Sequence, residues 1–262
     1  MLVGSLALAA ALAVVVVVRV AGDGAAPRSG LPSQARPGPV LLVPGYGGNT
    51  ESLTTLANRI RAAGRAVTIV MLPGDGTGDL VAQAAALGDH VDGAFTRGAP
   101  SVDVVGYSAG GLVALLWAAR DGGEHRARRV ITLGSPMHGT TVASAGGALA
   151  PGACPTACRQ LAPGSPLLGS LGEQPVPAGL PWLSLWTEND QTVTPPDSAR
   201  LPGAVNVALQ RICPDVTVSH AELPADPLVT AIVVRALGMD PLRAPTAEDC
   251  AALRAEGARL SS

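Results

Sequence analysis

The chain has 262 residues, 47% of them apolar, 15% charged and 2% aromatic, with a net charge of −2. That length carries one domain with a full core, and the apolar share excludes a disordered chain. The slight negative charge, with no long basic run, argues against nucleic acid as a partner.

The first element is an apolar run, Leu2 to Val18. As a helix it would span roughly 26 Å, slightly short of the ~30 Å hydrocarbon core of a bilayer. Arg19 follows, then small residues from Ala21 to Ala26. Two readings of residues 1–21 stand: a secretory signal peptide cut near those small residues, or an uncleaved membrane anchor. The n-region lacks Lys and Arg, and Arg19 lies on the far side, so charge asymmetry does not separate the two. A buried core helix is a third reading, which the absence of any polar stripe opposes. Export is the expectation: a protein secreted, or attached through its N-terminal segment to the outer face of the cell membrane.

Residues 22–38 are rich in Gly, Pro, Ser and Arg without periodicity, and read as a linker. A rhythm then begins, and residues 39–262 read as one domain. Val40 to Val43 is a short apolar run ending in Pro44-Gly45. Leu53 to Ala63 has helical spacing and stops at Gly64. Val67 to Met71 is a second apolar run, followed by a Gly/Asp loop from Pro73 to Asp79. Helices are predicted over Leu80 to Phe95 and Ala109 to Ala119, and strands over Val102 to Val105 and Val130 to Leu133. The rhythm breaks at residues 140–181, a stretch too long for an ordinary connection, which reads as a small cap. It resumes with strands over Trp182 to Trp186 and Ala204 to Leu209, a helix over Pro227 to Leu237, and a polar tail from Asp240 to Ser262. Strands alternating with helices imply right-handed β-α-β units: an α/β fold whose mostly parallel sheet has about six strands, with helices on both faces. The strands are continuous apolar runs, as burial on both faces requires.

Four cysteines lie after the apolar run: Cys154, Cys158, Cys213 and Cys250. An even count in an exported chain points to two disulfides. Of the three pairings, Cys154–Cys158 as a local clip and Cys213–Cys250 as a tether for the C-terminus are preferred. Zinc is a weaker reading of the Cys-x3-Cys spacing, because no His lies near it in sequence. No metal is expected.

Gly106-Tyr107-Ser108-Ala109-Gly110 matches the nucleophile-elbow pattern. Alone it is a weak signal, but it follows an apolar strand and opens a helix, the setting the motif requires. Such a turn forces its serine into a left-handed conformation, and the flanking glycines remove the Cβ atoms that would collide there. A nucleophile needs a proton acceptor, and the acceptor an orienting acid, in the chain order Ser, acid, His. Three histidines follow Ser108. His125 lies in a charged loop, and His138 precedes every candidate acid, so His220, just ahead of the last helix, is the base. Glu188, Asp190 and Asp197 follow the Trp182 to Trp186 strand. Asp190 is chosen from its loop position, and Asp197 is second because Pro-Pro-Asp suggests a helix N-terminus. An oxyanion hole needs two backbone N–H donors. Ala109 supplies one, and Tyr46, in the Gly-rich loop after the first strand, supplies the other.

Val40-Leu41-Leu42-Val43-Pro44-Gly45-Tyr46-Gly47-Gly48, the Val105 to Gly111 and Thr132 to Thr140 segments, and those around Asp190 and His220 together resemble the small secreted bacterial triacylglycerol lipases and esterases. These are the class 2 lipase group of the α/β-hydrolase fold, and the resemblance covers about Val40 to Gly238. It implies Ser–Asp–His roles for Ser108, Asp190 and His220, and a compact six-stranded fold that omits the first strands. Two departures stand out: Pro44 where many members carry His, and Met137 where many carry a second His. The function expected is hydrolysis of carboxylic esters, acylglycerols or other lipid esters, through an acyl-enzyme, by a monomer that uses no cofactor. Leu161, Leu167, Leu168 and Leu171 are spaced to give the cap an apolar face for acyl chains. An acyltransferase or thioesterase would use the same residues. The intact set of three speaks against a non-catalytic tethered binding domain.

Overall fold

Six apolar segments pair into one sheet in which every neighbouring pair is parallel. They are β1 (Val40–Val43), β2 (Val67–Ile69), β3 (Val102–Tyr107), β4 (Ala127–Leu133), β5 (Trp182–Trp186) and β6 (Val205–Ala208). Their order is β2-β1-β3-β4-β5-β6. The computed structural model describes residues 30–120, 122–173 and 175–261. The N-terminal apolar run lies outside the described residues. Among those described, no helix is long and apolar enough to cross a membrane.

Helices lie between and after the strands: α1 (Glu51–Ala62), α2 (Leu80–Thr96), α3 (Ala109–Arg120), α4 (Thr141–Leu149), α5 (Thr156–Gln160), α6 (Pro166–Gly169), α7 (Leu209–Ile212), α8 (Pro227–Ala236) and α9 (Cys250–Arg259). Side chains alternate across the sheet. Leu41, Val43, Val104 and Val130 therefore join α2 and α3 in one core layer. Leu42, Val105, Ile131 and Leu183 join α1 and α8 in the other. The chain leaves β1 toward the β2 edge, then crosses back past β1 to β3. At such a switch point the loops after the two central strands diverge and leave a crevice at the C-terminal ends of the strands. The loops after β1 and β3 carry Gly45-Tyr46-Gly47 and Ser108.

Beyond shifts of one or two residues at strand ends, four features of the structure go past the sequence reading. First, β4 begins at Ala127 rather than Val130, so the adjacent Arg128 and Arg129 are strand residues and fully buried. Asp103 on β3 explains this. Its carboxylate accepts from Arg128 Nε at 2.9 Å and Nη2 at 2.5 Å, and from Arg65 at 2.6 Å. Other guanidinium bonds reach the carbonyls that end α8: Arg129 reaches Ala236, Arg128 reaches Leu237 and Gly238, and Arg65 reaches Leu237. Cations suit a helix C-terminus. Burial, with the neighbouring Arg128 charge, lowers the Arg129 pKa from its ordinary value. Replacing Asp103 by Ala strands the buried Arg128 charge, and a loss of about 3–5 kcal/mol is expected. Urea unfolding would read it, and an unchanged midpoint would contradict this account.

Second, the polar tail contains a helix. Residues 250–259 form α9, which buries Leu253 and meets α8 so closely that a Cβ on Gly257 would lie 2.2 Å from the Pro227 carbonyl oxygen. The Cys213–Cys250 disulfide anchors its start. Third, part of the segment read as a linker packs on the body: Gln34 accepts from Arg129 at 2.8 Å and donates to the Arg128 carbonyl at 3.0 Å. Fourth, the cap holds α4, α5 and α6, while its Cys154–Cys158 disulfide is the pairing expected, as is Cys213–Cys250. Its leucines turn inward. Leu161 is buried in the core layer of α2 and α3, and Leu167, Leu168 and Leu171 pack against that layer. Helices of four and five residues carry no continuous stripe, and the body's flank satisfies these side chains. Among the described residues, the large apolar cap side chains left in solvent are Val142 and Leu149, on α4.

Candidate active site

Ser108 sits between β3 and α3 with φ 53°, the one positive φ at a non-glycine position among the described residues. Its N–H donates to the Leu133 carbonyl at 2.8 Å, so the neighbouring strand β4 holds the strained turn. The glycines on either side are required by close approach. A Cβ on Gly106 would stand 2.5 Å from Gly111 Cα, and one on Gly110 would stand 2.3 Å from the Val43 carbonyl oxygen. The turn leaves the Ser108 side chain half-buried at the C-terminal edge of the sheet.

His220 comes to it from the loop ahead of α8. Its Nε2 lies 3.0 Å from Ser108 Oγ, and its Nδ1 lies 2.6 Å from Asp190 Oδ2. Asp190 stands on the loop after β5 and is 4% exposed. Its other oxygen accepts from the backbone N–H groups of Thr192 at 2.8 Å and Val193 at 2.7 Å. The carboxylate is thereby fixed in rotation and aimed at the imidazole. With Nδ1–H donating to Asp190, Nε2 is free to accept the Ser108 hydroxyl proton. Glu188 and Asp197, the other acids after β5, are exposed, and Asp197 lies within a short 3-10 turn, Pro196–Ala199. His125 and His138 are also exposed.

Three contributors escaped the sequence reading. The Tyr107 hydroxyl donates to the His220 carbonyl at 3.2 Å, and the two ring centroids are 5.2 Å apart. Burial, reinforced by the Asp190 charge, pushes the Tyr107 pKa up to about 12, so the phenol stays a neutral donor. Buried Thr187 donates from Oγ1 to the Val218 carbonyl at 2.6 Å, tying the Asp190 loop to the His220 loop. Gly134 (φ 55°) lies behind the pair, where a Cβ would sit 3.2 Å from both Asp190 Oδ2 and His220 Nδ1. No motif specifies any of the three. The elbow pattern does not specify the residue at Tyr107, and the contacts of Thr187 and Gly134 link segments far apart in sequence.

The loop after β1 passes close by. A Cβ on Gly45 would meet Ser108 Cβ at 3.0 Å. Among the described residues no internal acceptor pairs with the N–H of Tyr46 or Ala109. The Tyr46 side chain is 43% exposed.

A six-stranded parallel sheet flanked by helices, with a serine on a strained strand-to-helix turn, is the α/β-hydrolase fold. Solved structures that share it include Aspergillus fumigatus lipase B, at 21% identity and TM-score 0.65, the match covering 86% of this chain and 61% of that one. The mature form of Bacillus licheniformis lipase BlEst2 matches at 19% identity and TM-score 0.64, over 81% of this chain and 96% of that one. The product of gene lin2722 from Listeria innocua matches at 15% identity and TM-score 0.56, over 79% and 96%. This chain thus spans less than two thirds of the length of the Aspergillus lipase. At these identities the likeness is one of fold. No protein-family model matches the sequence, and no curated protein is similar to it in sequence.

Proposed function

We propose that the protein is a serine hydrolase of carboxylic esters, with lipid esters such as acylglycerols as its substrate class. One observation carries the reading: Ser108, His220 and Asp190 stand in an unbroken hydrogen-bonded line on the elbow. Ser108 Oγ attacks the ester carbonyl carbon while His220 Nε2 takes its proton. Asp190 holds the tautomer and stabilises the imidazolium. The tetrahedral oxyanion lies against the N–H groups of Tyr46 and Ala109, whose lack of internal acceptors supports this role. His220 then protonates the leaving alcohol, and the acyl-enzyme forms. Water, deprotonated by His220, adds to it, and collapse releases the acid and restores the Ser108 hydroxyl.

The lipases among the fold neighbours support the ester and lipid parts of the reading. Export, by secretion or by anchoring through the N-terminal segment, is part of the same proposal, and the two disulfides support it. A fluorophosphonate probe, together with nitrophenyl esters from acetate to palmitate, tests the function. The expected result is stoichiometric labelling of Ser108 and turnover that depends on chain length. A folded protein that takes no label and cleaves no ester of the series would exclude it.

A further inference from the structure

The loop that offers Tyr46 has no secondary structure of its own, yet its position relative to Ser108 must be held closely for an N–H to meet an oxyanion. On one side it leans on the elbow: a Cβ on Gly110 would meet the Val43 and Pro44 carbonyl oxygens at 2.3 and 2.4 Å. On its other side stands the loop between β2 and α2. Gly47 N–H donates to the Gly76 carbonyl at 3.3 Å. The two backbones touch there. A Cβ on Gly76 (φ 72°) would lie 2.5 Å from Gly48 N, 2.8 Å from Gly48 Cα and 3.0 Å from the Gly47 carbonyl carbon. A loop resting on another loop gains little rigidity unless the second is itself fixed.

Gln83 fixes it. This side chain, on the first turn of α2, is 1% exposed, a rare setting for an uncharged amide. Its Nε2 donates to the Gly76 carbonyl at 3.2 Å and to the Gly78 carbonyl at 3.1 Å. The Gly76 oxygen that receives Gly47 N–H is therefore the same oxygen that Gln83 holds from the body of the protein. Two further ties fix the loop around that point. The Asp75 carboxylate accepts from Thr77 N and Oγ1, at 2.9 and 2.6 Å, which lowers its pKa from the ordinary value. The Thr77 carbonyl accepts from Ala157 N–H at 3.0 Å, at the start of α5.

We propose that Gln83 is a positioning residue for the oxyanion hole, acting through the Gly76 carbonyl to set where the Gly45–Gly48 loop presents the Tyr46 N–H. The inference rests on the hydrolase reading above and adds to it the element that holds the first oxyanion donor in place. Gln83 touches neither Ser108 nor His220 in the hydrogen-bond network, so its effect belongs to the geometry of the transition state, where the oxygen becomes charged, and not to ground-state binding.

The test is Gln83→Met, which keeps chain length and removes both donors, with Gly76→Ala as an independent second variant that pushes the loop directly. Both are assayed below their own Tm against a short nitrophenyl ester, and titrated with phenylboronic acid, which forms a tetrahedral adduct on an active serine. Expected is a fall of kcat by about tenfold to a hundredfold with KM within about twofold, and weakening of the boronic acid by a similar factor. A purely structural role would lower Tm and leave kcat and the boronic acid affinity at wild-type values. That outcome, in either variant, overturns the proposal. A wild-type protein that takes no fluorophosphonate and cleaves no ester fails the hydrolase reading itself, and the two failures are thereby distinct.

Discussion

Ser108→Ala is expected to lower kcat/KM for any hydrolysed ester by at least about three decades while the protein stays folded. The loss follows from the geometry. Ser108 Oγ is the atom 3.0 Å from His220 Nε2, and without it no acyl-enzyme can form. Alanine keeps the Cβ that the elbow already accommodates beside Gly45, so packing changes little. The residual rate would come from binding and the oxyanion donors alone. The measurement is steady-state turnover of a nitrophenyl ester, with fluorophosphonate titration to count any wild-type contamination. Thermal unfolding of both proteins supplies the control for folding. Turnover within tenfold of wild type, in a variant that no longer takes the label, would remove Ser108 from the mechanism.

Asp190→Asn is expected to cost about four decades of kcat, while Asp197→Asn changes it by less than about threefold. The structure says how the first substitution acts. Oδ1 of Asp190 accepts two backbone N–H groups, from Thr192 and Val193. An asparagine would keep its oxygen there and turn its NH2 toward His220 Nδ1. That nitrogen would then have to accept, placing the proton on Nε2, where it cannot take the Ser108 hydroxyl proton. The fold survives, because the loop's own hydrogen bonds survive. Asp197 is exposed and makes no contact with His220, so its charge is screened. Parallel kcat measurements on the two variants decide the matter. If Asp197→Asn is the more damaging, the acid has been assigned to the wrong carboxylate.

Much of the architecture was legible because burial on both faces leaves a clear trace. β1 and β5 are continuous apolar runs, and their limits were read without error from Val40–Val43 and Trp182–Trp186. The apolar run of β4 starts three residues inside the strand, since two adjacent arginines look like surface. Only the pairing of β4 with β3 brings Asp103 beneath them, and only α8 brings the carbonyls that complete them. The cap leucines show the opposite failure. Their spacing suggested one shared face, but they lie in separate short pieces whose directions are set by contacts with α3's core layer.

The candidate site divides the same way. A local motif in its strand-turn-helix setting identified Ser108, because a left-handed turn flanked by close backbone contacts demands glycine on both sides. Chain order and the positions of strand ends reduced the partners to His220 and a choice among three acids. From sequence alone that choice could be ranked but not closed, since burial, and two N–H groups turned onto one carboxylate oxygen, are properties of a folded loop. Tyr107, Thr187, Gly134 and Gln83 were beyond reach altogether. Each acts across a gap in sequence, through a backbone carbonyl or through the room that a missing Cβ leaves, and neither leaves a pattern along the chain. Periodicity and turn chemistry are local, and they determined the elements and the candidate nucleophile. The orientation of Asp190, His220 and the loop after β1 depends on hydrogen bonds between segments that meet only when the sheet has formed, so tertiary structure alone decided it.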